Sequence, residues 1–422
     1  MSISAEQRER KGGLGNFFKK LGPGLVTGAA DDDPSGIATY SQAGARFGMA
    51  TLWTALVTFP LMSCIQEMCA RIGLVTGKGL TFILKKHYPK GILYLVVLLS
   101  IPATILNIGS DIAGMGAVCH LLWPAVPAYA FCVAFTILMI VVIIRFSYKK
   151  IASILKWLCL SMFLYIIVPF LIHPNWKQIL HHTVVPTIHF NKDFILMLVA
   201  ILGTTISPYL FFWQTTMEAE EKKHDGSKVI VDKQALIDMR QDVNIGMVTS
   251  NVVMYFITLT AAVVLYGHIK NLETVEQAAK ALQPLAGNLS YLLFAMGILG
   301  TGFLTIPVLA GSLSYITAES FGWKAGLDKN FYQAKGFYAT ILVSLAVGLL
   351  ITFLGFSPMK ALVYTGVLYG LIAPILIAVI LHICNNKRIM KDHTNKWLSN
   401  VIGMLTFVLM SVAAVALIWL SF

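Results

Sequence analysis

Apolar residues run along this chain in blocks of about 20, the length that carries an α-helix through the hydrocarbon of a bilayer, and short polar stretches separate them. Eleven blocks are legible, over 24–44, 49–70, 91–122, 127–145, 152–172, 194–217, 243–266, 289–318, 336–356, 359–383 and 400–421. The pattern predicts an all-α polytopic membrane protein of about eleven transmembrane helices. Two blocks are interrupted. In the first, Asp31, Asp32 and Asp33 stand directly before Pro34, Ser35 and Gly36. Proline has no N–H to give a helix and its ring clashes with the preceding turn, so the helix is expected to open near Asp33 and free several carbonyls. In the sixth, Thr204, Thr205 and Ser207 lead into Pro208 at mid-span, which predicts a second broken helix. Five spans separate the interruptions. Spans one to five and six to ten therefore read as repeats of opposite orientation, the pattern of secondary transporters that hold substrate near the bilayer midplane.

Composition agrees with the block pattern: 57% hydrophobic residues, 12% charged residues and a mean hydropathy of +0.74 exclude a soluble domain of 422 residues. A net charge of +12 invites a nucleic-acid reading, but its placement argues otherwise. Lys and Arg gather in the amino terminus and in the loops after spans two, four, six, eight and ten; the other loops and span edges hold only Arg46, Lys177, Lys192, Lys270, Lys280 and Lys360. By the positive-inside rule the amino terminus is expected in the cytoplasm of a cell with an inner (plasma) membrane and, after an odd number of crossings, the carboxyl terminus outside. The basicity is topological, and no nucleic-acid partner is expected. Residues 1–20, with Arg8, Arg10, Lys11, Lys19 and Lys20, lack an apolar core and read as a basic amphipathic leader rather than a signal peptide. Cys64, Cys69, Cys119, Cys132, Cys159 and Cys384 fall in or beside spans without metal-ligand spacing and read as small core residues.

The ionisable residues inside spans are the candidate chemistry, because such groups are expensive in lipid. Glu67 precedes Arg71 by one turn; an ion pair is the simpler reading, and a transport role stays open. Asp111, in Asn107-Ile108-Gly109-Ser110-Asp111, is either a hydrogen-bonded helix contact or part of a wet pathway. His173, His181, His182 and His189 are irregularly spaced and read as a solvated external loop rather than a metal site. Residues 218–240 read as a charged surface linker, and Gly366, Gly370 and Pro374 as the mark of a flexible tenth span.

Taken together, Gly22-Pro23-Gly24, Asp33-Pro34, Ala38-Thr39, Gln42-Ala43-Gly44-Ala45, Gln66-Glu67, Arg71-x-Gly73 and Val75-Thr76-Gly77 resemble the Nramp divalent-metal transporters, over spans one to ten. The resemblance implies the leucine-transporter-like inverted repeat, with an ion held between broken spans one and six. It also implies no enzymatic activity and no cofactor, the partners being a divalent cation as substrate and the lipid bilayer. The expected division is a leader 1–20, a first repeat 21–173, an external loop 174–193, a second repeat 194–384, and a cytoplasmic turn with span eleven over 385–422.

Against the family pattern Asp-Pro-Gly-Asn the chain reads Asp33-Pro34-Ser35-Gly36, so the aspartate is kept and the asparagine lost. Against Ala-x-x-Met-Pro-His it reads Thr204-Thr205-Ile206-Ser207-Pro208-Tyr209, so serine replaces the methionine. Thioether sulfur selects soft ions, whereas carboxylate, hydroxyl, carbonyl and water suit Mg²⁺, Ca²⁺ and Mn²⁺. The roomier site also suits Mg²⁺, which dehydrates reluctantly. These departures resemble the Nramp-related magnesium transporters. The expected metal-site residues are Asp33, Gly36, Thr204 and Ser207, with Asp31 and Asp32 adding an attractive field. Span three reads Asp111-Ile112-Ala113-Gly114 where the family has Asp-Leu-Ala-Glu, Tyr209 and Gln214 stand where it has histidines, and span nine lacks its arginines. A relay without titratable steps conducts poorly, so uncoupled import of Mg²⁺, with Mn²⁺ beside it, is expected. The alternatives are a proton-coupled Mn²⁺ or Fe²⁺ symporter, an amino-acid carrier of the same fold, and an intramembrane aspartyl protease using Asp33 and Asp111.

Overall fold

A computed structural model describes residues 22–146, 163–224, 231, 233–269 and 272–421. The leader lies outside the described residues, as does most of the fifth span, of which only α7 (Leu164–Ile172) is described. The first block is two half-helices, α1 (Pro23–Asp31) and α2 (Pro34–Phe47). A turn at Met49 then leads into α3 (Trp53–Thr76), which lies at 109° to the preceding helical segment. After α4 (Leu80–His87) come α5 (Lys90–Leu122), α6 (Ala128–Arg145), α7 and the short α8 (Trp176–Val184). The sixth block is again two pieces, α9 (Lys192–Thr205) and α10 (Pro208–His224). The long helices α11 (Lys233–Val264), α12 (Ser290–Phe321), α13 (Lys335–Thr352), α14 (Pro358–Asn385) and α15 (Trp397–Trp419) complete the bundle. Among the described residues, 8 stretches are long and apolar enough to cross a membrane unaided, the broken α9–α10 pair counting as one.

Both breaks fall where proline dictates. Pro34 and Pro208 open the second half-helix of each pair, the position at which a missing N–H costs nothing. Asp33 caps α2, its Oδ1 accepting from Gly36 N at 2.6 Å. The carbonyl freed at the end of α1, Ala30 O, accepts from Tyr209 Oη at 2.8 Å and from Thr305 Oγ1 at 3.4 Å. This freed carbonyl is thereby satisfied by protein, as a bilayer requires of irregular backbone.

Glycine sets how closely the broken helices approach their supports. A Cβ on Gly28 would lie 2.3 Å from Gly246 O, and one on Gly44 2.3 Å from Thr258 O, so α1 and α2 both lie directly against α11. At the amino end of α1, Asp242 of α11 accepts from Gly22 N at 3.0 Å and Gly24 N at 2.6 Å, a carboxylate at a helix N-terminus. A Cβ on Gly203 would lie 2.0 Å from Gly366 O and 2.2 Å from Gly370 N. The tenth-span glycines therefore serve backbone contact between α9 and α14, and α14 runs as one helix through Pro374. Gly28→Val is expected to lower stability by about 1–3 kcal/mol through overpacking. Gly91→Val, at a position with open space around it, is the control. Melting midpoints of the purified protein in detergent check both.

The predicted linker 218–240 is also corrected at its two ends, its middle, 225–230 and 232, lying outside the described residues. The span continues as helix to His224, and α11 begins at Lys233. Glu218 is buried, taking a 3.0 Å bond from Gln214 Nε2, and Glu220 accepts from Tyr315 Oη at 2.8 Å. Charge along these residues pointed to a surface, but the inward side of the helix keeps its acids paired.

Candidate functional site

The two breaks meet. The hydroxyls of Ser35 on α2 and Thr204 on α9 lie 3.2 Å apart, as do those of Tyr40 and Thr205 one turn on. The other halves are joined by a hydrogen bond from Thr27 Oγ1 on α1 to Gln214 Oε1 on α10. Asp33, Thr204 and Ser207 are at most 2% exposed, and Gly36 is buried. Asp33 sits at the N-terminus of α2, where aligned peptide dipoles favour negative charge. Its Oδ1 faces Gly36 N, and its Oδ2 accepts from Asn107 Nδ2 of α5 at 3.0 Å. Thr204 is tied to the Asp33 turn through Ser35, while Ser207 Oγ turns back to donate to Thr204 O at 2.6 Å and Gly203 O at 3.2 Å. Ser207 thus keeps only lone pairs to offer a cation. Every polar side chain at the two breaks, from Asp33, Ser35, Thr204, Thr205 and Ser207, carries oxygen; none carries sulfur or imidazole. Among the described residues, no three His, Cys, Asp or Glu side chains converge into a preformed metal cage.

The remaining acids divide by their surroundings. Asp31 Oδ2 and Asp32 Oδ1 share one donor, Ser250 of α11, at 2.7 and 3.2 Å. Glu67 is held by Arg71 Nε at 3.2 Å and Arg240 Nη2 at 3.3 Å. Arg71 in turn donates to His393 O and Asn395 Oδ1, which locks α3 to the turn before α15. Glu67→Gln is expected to cost about 3 kcal/mol, because Arg71 keeps its buried charge and loses its counterion, while the ratio of Mg²⁺ to Mn²⁺ uptake stays as in the parent. Thermal melts alongside uptake assays check this. Asp111 is fully buried, and neither carboxylate oxygen has a hydrogen-bond partner.

Asn107, Ser35, Tyr209 and Ser250 were not singled out by the sequence as site residues. The signal for Asn107 was its place one turn before Asp111, on the same face of an otherwise apolar span. Among the described residues the histidines of 173–189 form no group that could hold a metal; His181 and His182 lie on α8, the first exposed and the second half-buried.

The family model described as natural resistance-associated macrophage protein-like matches residues 24–420. A relative from Caldanaerobacter subterraneus subsp. tengcongensis, named divalent metal cation transporter MntH, is 27% identical over 409 residues, covering 95% of this chain and 94% of its own. One of the same name from Clostridium acetobutylicum is 26% identical over 97% of this chain and 92% of its own. In three dimensions the chain is similar to the Eremococcus coleocola manganese transporter, with TM-score 0.77 at 16% identity over 96% of this chain and 88% of the other. It is similar in fold to MhsT bound to L-phenylalanine, with TM-score 0.59 at 14% identity, covering 95% and 97%.

Proposed function

The chain belongs to the Nramp family, a multi-pass membrane transporter of divalent metal cations rather than an enzyme, and on that premise we propose that it imports hard divalent cations, Mg²⁺ first and Mn²⁺ beside it, by alternating access without a coupled proton. The observation that carries the preference is the donor set where the two broken helices meet: the Asp33 carboxylate with hydroxyl and carbonyl oxygens of Ser35, Thr204 and Ser207, and no sulfur. Oxygen-only sites favour Mg²⁺, Mn²⁺ and Ca²⁺ over softer ions. In this reading Asp33 supplies the charge, Gly36 leaves room for retained water, Thr204 offers a hydroxyl or carbonyl, and Ser207 offers lone pairs or a water contact. The repeats are 21–173 and 194–384, joined by 174–193, and 385–422 adds the last helix. The amino terminus lies in the cytoplasm and the carboxyl terminus outside.

Competition separates this from a transition-metal symporter. Purified protein in proteoliposomes is expected to take up Mn²⁺ in a way that millimolar Mg²⁺ suppresses, whereas Mn²⁺ uptake indifferent to Mg²⁺ would return the chain to the family's transition-metal role.

A further inference from the structure

Four buried polar atoms beside Asp33 have no partner: Asn107 Oδ1, both carboxylate oxygens of Asp111, and Tyr369 Oη. All three residues are at most 1% exposed. Asn107 and Asp111 lie one turn apart on α5 and so share a face. The amide of Asn107 is oriented by its neighbour, because a carboxylate only accepts and Asp33 Oδ2 therefore takes the nitrogen. That leaves the amide oxygen as a free acceptor on the carbon whose nitrogen grips the proposed cation ligand. Unmade hydrogen bonds of buried acceptors are costly, and three of these four atoms, Asn107 Oδ1 and the two Asp111 carboxylate oxygens, can only accept from a cation's water shell.

A hydrated divalent cation supplies donors, since Mg²⁺ holds several waters whose protons point outward. We propose that Asn107 and Asp111 form an outer half of the cation site, which grips the water shell of Mg²⁺ while Asp33 holds the ion itself. Asn107 brings an amide oxygen to the Asp33 carboxylate from a different helix, in a site whose Gly36 carries none, and in this role it reaches water rather than metal. Asp111 acts in this role as an acceptor, and no proton need move through it. Tyr369 Oη, which can donate as well as accept, closes the ring from α14.

The inference rests on the reading of Asp33 as the cation's charged ligand, and its test keeps the two apart. Concentration series of Mg²⁺ and Mn²⁺ uptake into proteoliposomes are measured for Asn107→Ala, Asp111→Asn, Asp111→Ala and, as the control on the underlying reading, Asp33→Ala. Losing one hydrogen bond to the shell is expected to raise the KM for Mg²⁺ about tenfold in Asn107→Ala. The KM for Mn²⁺, which needs less of its shell, is expected to change less than about threefold. Asp111→Asn keeps an acceptor oxygen but cannot carry a proton, so its Mg²⁺ uptake is expected to stay near that of the parent, with Asp111→Ala reduced about tenfold. Equal effects on both ions in Asn107→Ala mean that the residue only positions Asp33, and they overturn the proposal, as does an unchanged Mg²⁺ KM. Asp111→Asn as impaired as Asp111→Ala overturns the acceptor role. If Asn107→Ala fails to fold, the Asp111 pair decides alone. Near-normal uptake by Asp33→Ala would instead remove the underlying site.

Discussion

Asp33→Ala is expected to abolish Mg²⁺ uptake while leaving a folded protein. Asp33 is the one carboxylate at the meeting of the breaks that caps a half-helix and is also gripped from a third helix. A pair of unit charges at roughly 4 Å and an effective dielectric of about 20 interacts by about 4 kcal/mol, and the cation carries two charges. Even after discounting for retained water, the loss corresponds to at least about a hundredfold in affinity. The fold loses a cap worth about 1 kcal/mol, and the seam between α1, α2 and α11 is untouched. Gel filtration and thermal melts are expected to resemble the parent, with uptake at the level of empty liposomes.

The second large effect is on selectivity. Ser207→Met combined with Gly36→Asn brings a thioether and an amide oxygen to the two breaks, and it is expected to raise Cd²⁺ and Mn²⁺ binding relative to Mg²⁺ by about tenfold or more. Space permits the change at the first position. A Cβ on Gly36 would sit 3.3 Å from Tyr40 Cε2 and 3.4 Å from Asp31 O and Asp33 Oδ1, contacts that a few tenths of an ångström relieve. Calorimetric titration of the double variant with each ion checks the direction, and no gain for the softer ions over Mg²⁺ would contradict the hard-site argument.

What the sequence made legible were the features written in local chemistry. Pro34 and Pro208 announce their breaks because each follows polar side chains that hold an open turn, Asp33 capping α2 and Ser207 turning back on Thr204 O, and α1 ends at Asp31 and α9 at Thr205 accordingly, whereas Pro374 sits inside the unbroken α14. The Glu67–Arg71 pair was legible because its partners are one turn apart. What stayed hidden depends on packing between distant segments. Asn107 reaches Asp33 across 74 residues, and Ser250 reaches Asp31 across 219, distances over which no periodicity speaks. The packing role of Gly366 and Gly370 was hidden for a related reason: glycine in a helix signals either flexibility or a backbone pressed against it, and the contact with Gly203 becomes visible only once α9 and α14 are placed. Charge misled along 218–240, since a polar stretch looks the same whether its acids face solvent or, as with Glu218, a buried amide.

The claim at the centre of this account is a hard cation moving without a proton. An inside-negative potential favours cation entry by about 2.3 kcal/mol per charge per 100 mV, and acts twice on a divalent ion. It is tested most directly in proteoliposomes with a clamped inside-negative potential, an entrapped pH dye and an entrapped Mg²⁺ dye, read together after external Mg²⁺ is added. The expected result is a rise in lumenal Mg²⁺ at constant lumenal pH, while a Mg²⁺-dependent acidification that disappears in Asp33→Ala or Asp111→Ala would contradict it.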